Sequence, residues 1–184
     1  MEKSYLSSVL KQFEYYKNLG DKTIEQLKIE ELKKEFVKDS NSISIIVKHI
    51  AGNMLSRWTN FLTEDGEKEW RKRDLEFVDT LETKTAIVNY WDKGWCCLFK
   101  AIKPLTNEDL DKIIYIRNQG HTVTEAINRQ MMHYAYHIGQ IVYLGKLIKG
   151  ENWQSLSIPK GQSQNYNTLK FSNNKTQRHF TEDL

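Results

Sequence analysis

The chain has 184 residues, 39% hydrophobic and 28% charged, with 27 basic residues against 24 acidic ones. That length fits one domain with a full hydrophobic core, and a net charge of +3, with both signs interspersed, argues against the clustered basic face of a nucleic-acid-binding protein. No stretch approaches the roughly 18 consecutive apolar residues of a membrane span, the first ten residues lack the pattern of a signal peptide, and the adjacent Cys96 and Cys97 point too far apart on a helix to form a bridge; a cytoplasmic protein without disulfides is expected.

Only two prolines occur, Pro104 and Pro159, each after a long helical pattern has ended. Few breakers and long segments of 3.6-residue periodicity predict an all-α protein. The first helix is expected over about Lys3 to Leu19, with Tyr5, Leu6, Val9, Leu10, Phe13 and Tyr16 on its apolar stripe and Gly20 closing it. Thr23-Ile-Glu-Gln26 has the form of a capping box, so a brief helix is placed within residues 24 to 34. The second long helix begins near Asn41 or Ser42, either of which can cap it. Its apolar face runs from Ile43 through Ile46, Val47, Ile50 and Met54 to Trp58, Phe61 and Leu62, with His49 beside it and Gly52 allowing close approach by another helix. Asp65-Gly66 marks a turn. Residues 64 to 80 form a charged connection, in which Lys68 to Arg73 is diluted by acidic neighbours and is expected to be a solvated loop.

The third helix spans about Thr83 to Ile102, with Ile87, Trp91, Trp95, Leu98 and Ile102 at steps of four and three, a core pattern; Gly94 marks either a helix contact or space for something bound. Residues 112 to 120 can be extended. The last helix starts from the capping box Thr122-Val-Thr-Glu125 and runs to about Lys149, ended by Gly150. Four long helices joined by medium connections suggest a four-helix bundle with short extra helices, covering residues 1–165. The segment after Asn167 is rich in Asn, Thr, Lys and Ser, so residues 166–184 are expected to form a mobile C-terminal tail.

The chemistry concentrates in Gln130-Met-Met-His-Tyr-Ala-Tyr-His-Ile-Gly-Gln140. His133 and His137 are four apart, one turn up the same helix face, and two imidazoles so placed can ligate one metal ion. Gln130 and Gln140 extend the polar stripe. The ordinary alternative is two satisfied histidines on a half-buried face. A metal site needs a partner from another helix. Among the five histidines, His121 lies in the loop before the last helix and His179 in the tail, whereas His49 sits on a helix amid apolar residues. It is the physical choice for a third ligand, its alternative being a core hydrogen bond. Three imidazoles leave a position for water or substrate, the arrangement of catalytic rather than structural zinc.

Four stretches carry a family resemblance in matching order: Val47-Lys-His-Ile-Ala-Gly-Asn53, Ser56-Arg-Trp-Thr-Asn-Phe-Leu-Thr-Glu-Asp-Gly-Glu-Lys68, His133-Tyr-Ala-Tyr-His-Ile-Gly-Gln-Ile-Val-Tyr143 and Ser157-Ile-Pro-Lys-Gly-Gln-Ser163. Together they resemble the DinB-like superfamily of bacterial four-helix metalloproteins, which includes YfiT-type thiol transferases. The resemblance implies that His49, His133 and His137 are metal ligands, with zinc or nickel the expected divalent ion, and it permits a homodimer. It also implies a small-molecule substrate and, as co-substrate, a low-molecular-weight thiol for a transferase or related hydrolase. The alternative is a non-catalytic metal- or ligand-binding protein. Arg57, Asn53, Trp58 and Tyr136 are candidates for a pocket, each with an ordinary surface or core role as its alternative. The Ser157 to Ser163 segment either covers the mouth of the site or anchors the tail.

Overall fold

In the computed structural model, which describes residues 5–183, most of the chain lies in four long helices, α1 (Tyr5–Glu25), α3 (Ile43–Trp58), α4 (Lys84–Ile102) and α5 (Val123–Lys149). Two short helices, α2 (Ile29–Leu32) and α6 (Ser163–Phe171), and one antiparallel hairpin, β1 (Ile113–Ile116) with β2 (Gln119–Thr122), complete the regular elements together with a few 3-10 turns. The fold is thus mostly helical. The hairpin occupies the stretch expected to be extended, and its two-residue turn, Arg117-Asn118, has φ of 55° and 59°, the left-handed pair that matches the twist of the flanking strands.

Local sequence chemistry sets the helix starts. The Ser42 and Thr83 hydroxyls accept from Ile45 N–H (3.3 Å) and Ala86 N–H (3.1 Å), and Thr122 forms a capping box with Glu125. Each satisfies a backbone donor that the first helical turn leaves unpaired. Gly150, at φ 54°, ends α5 with its N–H on the Lys146 carbonyl.

The central element is α3, fourteen of whose 16 residues are buried. A helix buried on all sides belongs inside the core rather than over it. It lies along α4, where Gly94 allows the backbones to meet: a Cβ there would fall 2.7 Å from Ala51 Cα. Gly94 therefore marks a helix contact. Trp91, Trp95, Tyr134 and Phe13, from α4, α5 and α1, are fully buried between the helices. Rings of this size bury roughly 150–250 Å² each, about 4–6 kcal/mol of transfer free energy at ~25 cal/mol per Å².

The first helix differs from its expected form. It continues through Gly20 to Glu25, and the expected start at Lys3 lies outside the described residues. Gly20 is an interior position that admits the Trp91 ring, which a Cβ would overlap. Thr23 does not cap a new helix; its hydroxyl donates to the Leu19 carbonyl at 2.7 Å within α1. The second long helix stops at Trp58, and Phe61 packs on Trp58 from the loop beyond it. Residues assigned to the tail carry the second half of α6, and the chain then returns to α1, where His179 Nε2 lies 3.0 Å from the Ser8 hydroxyl and Glu182 pairs with Lys11. Among the described residues no helix is long and apolar enough to cross a membrane.

Candidate metal centre

Three histidines meet between α3 and α5. His49 comes from α3, and His133 and His137 from successive turns of α5; one ligand atom from each can be chosen so that all lie within 4.8 Å of one another. The Nε2 atoms of His133 and His137 are 3.1 Å apart, and the His49 ring centroid is 5.4 Å and 5.0 Å from theirs. The group can hold a metal ion, and among the described residues it consists of these three side chains alone.

The surroundings suit that use. A carboxylate can only accept, so the 2.9 Å contact between His49 Nδ1 and Glu76 Oε2 puts a ring proton on Nδ1 and makes Nε2 the nitrogen left for a ligand. His137 Nδ1 likewise donates to Gln140 Oε1 at 2.8 Å, freeing its Nε2. Histidine ligands characteristically have the far nitrogen held by such an acceptor. Burial, the His137 and His49 rings, and Arg57 and Arg71 hold His133 at a pKa of about 3, well below its ordinary 6.5. Burial also lowers His137, against the opposing hydrogen bond to Gln140. Both are therefore neutral imidazoles at pH 7, the form that coordinates a metal.

Glu76 is brought in by the 3-10 turn Arg73–Phe77, whose Phe77 ring stacks on His49 with centroids 4.9 Å apart. The approach depends on Gly52, because a Cβ at that position would lie 2.5 Å from Glu76 Oε1. Gly52 thus admits a carboxylate rather than another helix. Arg71 clamps Glu76 through Nε (2.8 Å) and its terminal nitrogen (2.9 Å). Burial pushes the Glu76 carboxyl up, but the His49 and Arg71 hydrogen bonds and charges outweigh it, leaving the group below the usual carboxylate range.

The connection expected to be a solvated loop is in part an inner wall. Lys68 and Glu76 are buried, and the Arg71 side chain is only 2% exposed. Glu67 joins Arg57 (3.0 Å), Arg71 (3.3 Å) and Arg117 (3.1 Å), while Lys68 pairs with Glu64 at 2.9 Å. Burial of these charges is possible because each has a partner. The i,i+4 spacings Glu64–Lys68 and Glu67–Arg71 were the sequence signal for it, although the third and fourth partners come from distant segments. Asp65 fixes the hairpin against this loop by accepting from the Arg117 and Asn118 N–H groups, both at 2.8 Å.

The other candidates separate. Asn53 and Arg57 line a cavity of about 240 Å³ beside His49 and His133, and Gln130 reaches the same wall. Trp58 is a core residue whose Nε1 donates to the Tyr134 hydroxyl at 3.1 Å; that hydroxyl donates to Asn53 at 3.0 Å. Tyr136 is exposed and lays its ring against His137. His121, on β2, lies 3.4 Å from Arg129. The Ser157 to Ser163 segment does not line the histidine cavity; several of its residues line a separate groove with Lys22 of α1 and Tyr166 of α6.

Fold and site define a mostly helical protein with a three-histidine group capable of holding a metal ion. Residues 1–162 match the family described as "Protein of unknown function (DUF1572)", and the chain belongs to that family. No curated protein and no solved structure matches it.

Proposed function

We propose that this chain is a DinB-like four-helix-bundle metalloprotein that binds a divalent ion, zinc or nickel, through His49, His133 and His137, and uses it to act on a small molecule. The observation that carries the reading is the convergence of three imidazoles, two with their far nitrogens held by Glu76 and Gln140, beside a cavity. When bound, the ion supplies Lewis acidity toward a thiol, water or carbonyl. The protein orients the rings: Glu76 fixes the His49 tautomer, Gln140 fixes that of His137, and Phe77 covers the His49 face. A thiol S-transferase or related hydrolase fits an incomplete protein ligand set, and the low-molecular-weight thiol remains the proposed co-substrate.

The test combines metal content with turnover. Purified protein should carry about one equivalent of divalent ion by plasma mass spectrometry, and His137→Ala should lose it. The wild type should conjugate or hydrolyse members of a panel of thiols and electrophiles, and the variant should not. Tight metal binding without turnover across the panel would remove the enzymatic part and leave a metal-holding protein. An equal metal content in wild type and variant would remove the ligand assignment itself.

A further inference from the structure

The cavity beside His49 and His133 has an unusual wall. Five arginines reach it from separate parts of the chain: Arg57 from α3, Arg71 and Arg73 from the loop, Arg117 from the hairpin turn and Arg129 from α5. Among the described residues, no acidic one lines it. The two carboxylates bonded to these guanidiniums behind the wall are Glu67, shared by Arg57, Arg71 and Arg117, and Glu76, held by Arg71. With Asp74, which pairs with Arg73 from outside the wall, five cations against three anions leave two positive charges. Asp65 accepts from hairpin backbone N–H groups, and Asp74, 4.0 Å from Arg73, has a fully exposed side chain. Arg73 lies over the Phe77 ring, and Arg129 faces His121.

Two polar atoms behind this wall, Arg57 Nε and Gln130 Oε1, are buried out of reach of solvent without a hydrogen-bond partner, and their residues are only 6% and 3% exposed. Guanidiniums prefer planar or tetrahedral oxyanions, which they grip with paired N–H groups, and a cleft of one charge sign concentrates ligands of the other. A volume of about 240 Å³ holds on the order of eight heavy atoms at ~30 Å³ per water-sized unit.

We propose that this arginine-walled cavity binds a small polyanion, with carboxylate or phosphate oxygens on Arg73, Arg117 and Arg129, adjacent to the three-histidine centre. Resting on the metal-centre reading, this makes the substrate a small molecule carrying two or more oxyanion charges.

The probes are hydroxymalonate for the carboxylate source and glycerol phosphate for the phosphate source, with malonamide as the neutral control. Binding is measured by calorimetry on the full chain at low salt, metal-loaded and after chelation. At least one anion should bind, malonamide should not, and added salt should weaken the interaction. Arg117→Gln and Arg129→Gln, both at exposed side chains that leave the core untouched, should each weaken binding about tenfold; whichever anion binds tighter identifies the oxyanion. Failure of both anions to bind, or unchanged affinity in the double variant, overturns the proposal. Metal bound stoichiometrically with neither anion held would sink it while leaving the metal centre intact. Anion binding by a protein that takes up no metal would do the reverse.

Discussion

Replacing Glu76 by Gln preserves the size of the side chain and removes its charge. One oxygen now accepts from both His49 Nδ1 (2.9 Å) and Arg71 (2.9 Å), and the other takes Arg71 Nε at 2.8 Å. Glutamine offers a single acceptor, so its amide N–H must face either the imidazole N–H or the guanidinium. Arg71, almost wholly buried, keeps Glu67 at 3.3 Å. Removing one partner of a buried pair costs about 3–5 kcal/mol; with Glu67 retained, the lower end, about 3 kcal/mol, is expected for the metal-free protein. Loss of the acceptor behind a metal-bound histidine weakens metal affinity about 10- to 100-fold, or ~1.4–2.7 kcal/mol. Urea unfolding of the metal-free protein checks the first figure, and competition with a chromophoric zinc chelator checks the second. If folded Glu76→Gln protein held zinc within twofold of the wild type, the carboxylate would not be tuning His49, and the account of the site would fail.

The remaining predictions concern pH and packing. In metal-free folded protein His133 has a pKa near 3, whereas the unfolded chain takes up the proton near 6.5. The stabilisation is therefore complete above about pH 6.5 and is lost as pH falls toward 3. The full linkage value is ~5 kcal/mol; because the ring is partly exposed, roughly half of that is expected. His133→Gln should flatten the slope of unfolding free energy between pH 7 and 4.5, and an unchanged slope would contradict the assignment. Gly20→Ala should cost about 1–3 kcal/mol by forcing a methyl group against Trp91, and lower Tm by on the order of 5 °C; a melting curve superposing on the wild type would show that α1 and α4 can separate there.

Legibility in the sequence followed the range of the interaction. Ser42 and the Thr122–Glu125 box act within one turn, so the start of α3 and of α5 could be placed from neighbouring residues. His133 and His137 share a face by helical spacing, and His49 was reachable because a mid-helix histidine among apolar residues needs a partner. Gly20 was misread because a glycine at the end of an apolar stripe fits a helix stop as well as a close contact, and Trp91, 71 positions away in the chain, decides between them. Gly52 was read as a helix contact for the same reason: the group it admits, Glu76, comes from a loop. The wall of Lys68, Arg71 and Glu76 was hidden because its composition matches that of a solvated segment. Its burial is made tolerable by ion pairs within the segment together with partners from α3 and the hairpin.

Glu67 has a dynamic consequence. One carboxylate fastens α3 through Arg57, the loop through Arg71 and the hairpin turn through Arg117, while Gly66 N–H bonds the Tyr115 carbonyl at 2.8 Å. Movement of any one of the three segments takes a cation away from the carboxylate that holds the other two. The loop and the hairpin therefore breathe as one opening unit rather than two, with amide exchange at Gly66, Arg117 and Asn118 sharing a common rate-determining event. Entry to the histidine centre from this side would be timed by a single latch.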